Sequence, residues 1–341
     1  MTETIIPGPP QRTASPDVRA ARALLARACR GVPTPAVSHA VAEYGPVATL
    51  EALRADPNVA RAFYGVTVTE DDEAGAGADL DAAAALGARF LVPEDDGWPE
   101  LAVMGWQRTG SPDVVGDTAT VTAQVMGLWV RGLAPLTGGP RVTVTGARAA
   151  SDYGRHVARD FSAGLAVAGV RVVTGGALGV EAEALRGAVA ADGAPVVVAP
   201  CGIDRVHPSA NRDLFEEVLA RGGAIVSPYP PGLAVRRDRV MGRLRLLAGL
   251  ADAVLVVEAG PRSTALHLAD DAHFHGRAVL VVPGPITSEL SAGAHRLARE
   301  PWAQLVHDVD DVVADLTAHR TTAAGPASGG GAGQVAGRGR S

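Results

Sequence analysis

"RVTVTGARAASDYGRHVARDFSAGLAVAGVRVVTGGALGVEAEALRG", residues 141–187, decides the fold. It holds two short apolar runs, and each ends in a glycine-containing loop that passes into an amphipathic stretch. Apolar runs recur at 141–145, 170–174, 195–199, 223–227, 253–257 and 278–282, and amphipathic stretches begin near Asp152, Val180, Ser209 and Ser263. Continuous apolar strands alternating with helices predict a parallel sheet covered on both faces. Right-handed crossovers then make it an α/β, extended Rossmann-like domain.

In such a sheet a ligand sits where strands end and helices begin. The predicted strand ends are Gly146-Ala147-Arg148, Gly175-Gly176-Ala177-Leu178-Gly179, Cys201-Gly202-Ile203-Asp204, Glu258-Ala259-Gly260 and Pro283-Gly284-Pro285. Glycine lets backbone approach a ligand, and a helix N-terminus offers free N–H groups to an anion. A tight strand-to-helix turn also favours glycine, so one loop decides little; five together favour a shared anion site. A dinucleotide fits poorly. "TGARAASDYG" is not G-x-G-x-x-G, the "TGGALG" spacing differs from the fingerprint, and no acid closes "APVVVAPCG" where a ribose partner belongs. No cofactor is expected.

Arg148 follows the first glycine and suits phosphate, being planar and always charged, although a salt bridge to Asp152 is the alternative. "AVRRDRVMGRLRLLAGL" packs Arg236, Arg237, Arg239, Arg243 and Arg245 into ten residues; on a helix this is either a cationic track or a solvated face. Tyr153 and Tyr229 lie near strand ends, where they either present an aromatic face to a ligand or cap the core. Catalytic groups are sparse. Cys201 with His207 six residues on reads as packing rather than as a nucleophile–base pair. His267 and Asp271 share a helical face better explained as polar surface than as a metal site. No catalytic residue and no metal site is expected.

The remaining chain frames this domain. Residues 1–15 read as disordered, and 16–88 as a small helical domain with Ser15 as a cap, Pro16 at the first turn, and a break at Gly45-Pro46. The acidic stretch Glu70–Glu73 reads as a solvated loop. "ARFLVPEDDGWPEL" and "LWVRG" each give a strand and a turn, and residues 318–341 form a Gly/Ala/Ser tail expected to be disordered. Hydrophobic residues make up 47%, enough for a full core, but aromatics only 4%, so aliphatics do most of the packing. With no long uncharged apolar run, no secretory signal and only two cysteines, a soluble cytoplasmic protein with no membrane contact is expected. The net charge of −6 does not suggest nucleic acid, though a local basic patch is not excluded by it. All 31 basic residues are arginine, so Arg in place of Lys at one position says little.

Taken together, "VTGARAASDYG", "TGGALGVEAEALRGAV", "CGIDRVHPSANRDLFEEV", "GAIVSPYPPG", "GRLRLLAGLADAVLVVEAGPRS" and "VPGPITSELSAGAHRL" resemble the DNA-processing protein A (DprA/Smf) family from about Ala88 to Trp302. The resemblance implies a Rossmann-like domain over 89–317 behind a small helical, SAM-like domain. It implies a homodimer without known catalysis that binds single-stranded DNA, protects it and hands it to the RecA recombinase in natural transformation. The binding residues it implies, with the glycine loops, are Gly146, Arg148, Tyr153, Gly175, Gly176, Gly179, Arg243, Arg245, Arg262 and Ser263. The sequence departs from the family at Leu178, usually basic, at Leu244, usually asparagine, and at Thr264-Ala265, usually Gly-Ser. Each departure removes a polar contact from the expected groove. The competing expectation is an enzyme or sensor for a nucleotide-derived small molecule on the same loops. A degenerate member acting only through protein contacts is a third.

Overall fold

A computed structural model describes residues 12–99 and 125–323. Four helices open the chain: α1 (Pro16–Ala28), α2 (Pro35–Ala55), α3 (Pro57–Val59) and α4 (Glu70–Ala85). Strands β1 (Ala88–Leu91), β2 (Leu128–Gly132) and β3 (Arg141–Thr145) follow. Then come α5 (Asp152–Val167), β4 (Arg171–Thr174), α6 (Val180–Ala190), β5 (Val196–Val198), α7 (Arg212–Ala220), β6 (Ala224–Ser227) and α8 (Arg237–Gly249). The chain continues through β7 (Ala253–Val256), α9 (Thr264–Phe274), β8 (Ala278–Val281), α10 (Ala292–Leu297), β9 (Ala303–Leu305) and α11 (Val309–Ala323).

Among the described residues one sheet runs β1-β2-β6-β5-β4-β3-β7-β8-β9. From β6 to β9 every pairing is parallel, whereas β1 and β2 run antiparallel at one edge. The chain steps outward from β3 to β6, then returns to the other side of β3 at β7. The carboxyl ends of β3 and β7 therefore diverge into a crevice, the topological switch point of the sheet. Pairing registers such as Val144↔Leu255 hold these two strands together.

The period-2 side-chain alternation builds two cores. Val173, Val196, Val198, Val226, Val254, Val256, Val279 and Val281 face α8 and α9, and the residues between them face the opposite helices. There Val172, Leu255 and Leu280 meet Phe161 and Leu165 of α5 and Val312 and Leu316 of α11. A third cluster joins Leu24, Leu25, Leu50 and Leu53 of the opening helices to Phe90, Trp129 and Phe215.

Ser15 caps α1 by accepting from the Val18 amide at 3.3 Å. Gly45, at φ 83, breaks α2 where Gly-Pro was expected to. Glu70–Glu73 is a correction: it is the first turn of α4, not a loop. Thr69 and Asp72 form a reciprocal capping box, and the acids suit the positive end of the helix.

Two further corrections concern the termini. Residues 12–15 are tied to the segment after β1, where the Arg12 amide donates to Asp96 at 2.6 Å and the Ala14 amide to Asp95 at 2.9 Å. Residues 318–323 continue α11 rather than beginning a tail, with Arg320 donating to Asp252 at 2.9 Å. The expectations for 1–11 and 324–341 lie outside the described residues.

Arginine–carboxylate pairs lock the opening helices to the segment after β1. Arg22 binds Glu94 through Nε and Nη2, each at 2.7 Å, and Arg19 binds Asp95 through both terminal nitrogens at 2.8 and 2.9 Å. Burial opposes the Asp95 charge, but Arg19 and the amides of Ala14 and Val92 outweigh it and hold the carboxyl below the usual carboxylate range. A depressed folded-state pKa gives stability that is present above the unfolded value and lost as pH falls through the folded one. Asp95→Asn is therefore expected to cost on the order of 1–2 kcal/mol at pH 7, discounted for the part-exposed partner. Urea unfolding at pH 7 and again near pH 3 checks this: the gap between the two proteins should shrink at the lower pH.

Candidate nucleic-acid interface

The crevice between β3 and β7 opens into a cleft of about 400 Å³ lined by residues 146–149, 260–264 and 289–290. Gly146, Arg148, Arg262 and Ser263 lie on it, so four of the predicted residues from distant parts of the chain converge. Arg148 is exposed and has no hydrogen-bond or ion-pair partner among the described residues. Its expected alternative, Asp152, instead meets Arg155 at 3.2 Å. Arg262 is likewise exposed and without such a partner among the described residues. Ser263 caps α9, its hydroxyl accepting from the Ala265 amide at 3.2 Å. Tyr153, on the first turn of α5, donates its hydroxyl to the Pro283 carbonyl beyond β8. Its ring edge remains partly exposed, and burial followed by the Glu258 charge pushes its ionisation up.

Two buried protein carboxylates sit at helix starts beside the cleft. Glu258, two residues beyond β7, is buried and accepts from the Ser151 amide at 2.9 Å and the Ser151 hydroxyl at 2.6 Å. A Cβ on Gly154 would collide with its Oε2. At the start of α6, buried Glu181 accepts from Thr145 Oγ1 at 3.0 Å and from the Ala177 amide at 2.8 Å. Each protein carboxylate therefore neutralises the dipole of a helix that follows a glycine loop.

The second glycine loop is held rigidly beside the first. Gly175 faces Arg243, and Gly176 and Gly179 take φ +67 and +76. A Cβ on Gly179 would strike the carbonyls of Ala147 and Arg148, so the loops touch backbone to backbone. Asn211 Nδ2 donates to the Gly176 carbonyl at 2.9 Å. Leu178, at the position where a basic residue was missed, is 47% exposed on this loop.

Arg243 does not line the interface, which corrects its expected phosphate contact. It is 4% exposed, and its Nη1 donates to the carbonyls of Gly175 and Val198, the latter at 3.0 Å. Nη2 stands 3.8 Å from Glu181. Burial works against the charge and Glu181 supports it. Arg239 is also buried, with its guanidinium 5.6 Å from the Tyr229 ring centre. Tyr229 is fully buried and donates to the Arg239 carbonyl at 3.1 Å, so it caps the core and cannot stack on a base. Of that arginine run Arg236 and Arg237 are exposed, Arg236 paired with Asp238 at 3.2 Å. Leu244 is core, and Arg245 is half-buried. The sequence reading also missed Glu181, Glu258 and Asn211, which look like ordinary polar helix and turn residues until the strand ends converge.

Cys201 is buried, its thiol near the Arg205 carbonyl at 3.7 Å and its pKa pushed up by burial to about 11. It is packing, as expected. His307, Asp308 and Asp311 approach one another closely enough to share an ion, but they are surface groups that bond to one another.

A mostly parallel sheet with helices on both faces and an open, cation-flanked switch point defines a Rossmann-like α/β protein. Residues 89–317 match the family described as DNA recombination-mediator protein A. The chain belongs to that family, also called DprA/Smf. It is 41% identical over 238 residues to a DNA processing protein DprA of Mycobacterium tuberculosis, covering 69% of this chain and 59% of that one. It is 36% identical over 179 residues to the Smf protein of Escherichia coli, covering 52% and 47%. The chain thus spans about half to three fifths of these relatives. The solved DprA structure from Streptococcus pneumoniae shares the fold with a TM-score of 0.68 at 24% identity, covering 89% of this chain and 99% of that one. Among the described residues no helix is long and apolar enough to cross a membrane.

The buried geometry makes Arg243 a fold residue. Removing one partner of a buried ion pair costs about 3–5 kcal/mol. Arg243→Ala should lose that much in denaturant unfolding, with a clearly lowered melting temperature. An unchanged melt would return Arg243 to the surface track.

Proposed function

We propose that this protein binds single-stranded DNA along the carboxyl ends of its parallel strands, holding backbone phosphates at Arg148 and Arg262. The observation that carries the reading is that two exposed guanidiniums without internal partners among the described residues flank one cleft. A strand needs cations spaced along its backbone, and these two lie on different loops of the same cleft. A solved relative from Helicobacter pylori, at 24% identity and a TM-score of 0.51, is described by its single-stranded DNA binding mode. Tyr153 and Leu178 supply partly exposed non-polar surface for bases beside the phosphates. Gly146, Gly175, Gly176 and Gly179 shape the loops, and Ser263 sets the start of α9.

In this reading the protein shields the strand and delivers it to the RecA recombinase, acts as a homodimer, and performs no chemistry on the DNA. The family's description as a recombination mediator supports the delivery step. The burial of Cys201, which pushes its thiol pKa up, supports a binding role over nucleophilic catalysis.

Phosphate contacts carry no base information, so Arg148→Ala and Arg262→Ala should weaken binding to oligo-dT and to mixed sequences equally. Each should lower the slope of log K against log salt by about 0.7. Fluorescence anisotropy across a salt series measures both effects. Parent-like affinity and slope in both variants would sink the assignment. Competition by millimolar nucleoside monophosphates would favour the small-molecule alternative.

A further inference from the structure

Glu289 is the single carboxylate among the described residues lining the cleft that carries Arg148 and Arg262. Backbone contacts bring the three loops to one place. The Ala147 amide donates to the Glu258 carbonyl at 2.6 Å, which joins the loop after β3 to the loop after β7. The Gly293 amide donates to the Ala259 carbonyl at 2.8 Å, which joins that second loop to α10, directly after the turn Glu289–Ser291. A Cβ on Gly260 would lie 3.9 Å from the Glu289 carbonyl. The Glu289 side chain is exposed and, like the two guanidiniums, has no hydrogen-bond or ion-pair partner among the described residues. Glu258 and Glu181 lie beside the cleft but are already bonded inside the fold. The open cleft thus presents two unpaired cations and one unpaired anion.

A phosphodiester answers the cations and is repelled by the anion, so another part of the nucleotide must face Glu289. A space of about 400 Å³ is in the range of small-molecule sites and has room for more than a phosphate. Pro261 and Leu290 add non-polar surface to the same walls. An ionised carboxylate only accepts hydrogen bonds, so its partner must be a donor. The deoxyribose inside a strand offers none, whereas cytosine, adenine and guanine carry exocyclic amino groups. Thymine has no amino group, and its one N–H lies between two carbonyl oxygens that meet a carboxylate with like charge. We propose that Glu289 reads the base of a nucleotide whose phosphate Arg148 or Arg262 holds, selecting bases with an exocyclic amino group over thymine. The inference rests on the single-strand reading and adds base choice to phosphate contacts, which carry none. The unpaired edge of a single-stranded base is open to such a contact.

The test is anisotropy at neutral pH with oligo-dC and oligo-dT of one length, on the parent, Glu289→Gln and Arg148→Ala, with melting temperatures to confirm that each variant is folded. The parent should bind oligo-dC about tenfold tighter than oligo-dT, the discrimination expected of one charge-assisted contact to a base edge. Glu289→Gln keeps the size of the side chain but loses the charge and gains a donor. It should bind oligo-dT more tightly than the parent does, and its dC-to-dT ratio should fall close to one. Arg148→Ala should weaken both oligonucleotides and keep the parent's ratio. A parent that binds oligo-dT as well as oligo-dC, or better, overturns the base contact. So does a Glu289→Gln variant that tightens both alike at an unchanged ratio, because the carboxylate then acts by repulsion alone; in either case the strand assignment stands. If neither oligonucleotide binds the parent even at low salt, the single-strand reading itself fails and the base contact falls with it.

Discussion

The guanidinium of Arg243 is the constraint on which the strand ends depend. Parallel strands stop at different heights, and their last carbonyls point into the space that the glycine loops must cross. One buried cation answers the carbonyls of Gly175 and Val198 and faces Glu181. Glu181 in turn fixes Thr145 at the end of β3 and the amide of Ala177. Three adjacent strands, β3, β4 and β5, are therefore tied by a single polar cluster inside the fold. The cluster is held by charge-assisted bonds, which is how a buried charge persists, although Arg243 Nε has no hydrogen-bond partner among the described residues.

Given that cluster, the surface chemistry follows. The loops after β3 and β4 meet backbone to backbone at Gly179, which leaves the Arg148 side chain to project outward. Across the switch point, Glu258 performs for α5 what Glu181 performs for α6. The two helices gain their N-terminal counter-charges from within, and the cations left facing the cleft have none. The cleft therefore presents side-chain cations, Arg148 and Arg262, on a Rossmann-like scaffold.

Much of this was legible in the sequence and some was not, for physical reasons. The six continuous apolar runs became β3 to β8 because burial on both faces leaves no polar alternation to misread. The edge strand β9, Ala303–Leu305, carries no such run; its side chains are half-buried or exposed, so it left no trace. The antiparallel pair β1 and β2 looked like strands, but their direction is set by packing and not by composition. The first glycine loop with Arg148, and Arg262 with Ser263, converged as expected because strand order brings those ends together. The arginine-rich α8 misled because charge density resembles a solvated face. What turned Arg239 and Arg243 inward was a set of backbone carbonyls from other strands, which no sequence displays. Leu244 fits the same picture: with its neighbours facing the core, an apolar residue packs there naturally.

The carboxylate of Glu258, seated between Ser151 and the first turn of α5, also bears on how a strand would be met. A helix end that waits for its ligand is free to fray, and arrival then has to order it. Here that end is closed before any ligand comes. Capture becomes a matter of side-chain rotamers on a finished surface, with little backbone entropy lost on contact. Such a surface suits a carrier that must take up and release a polymer repeatedly, since neither step has to rebuild the groove.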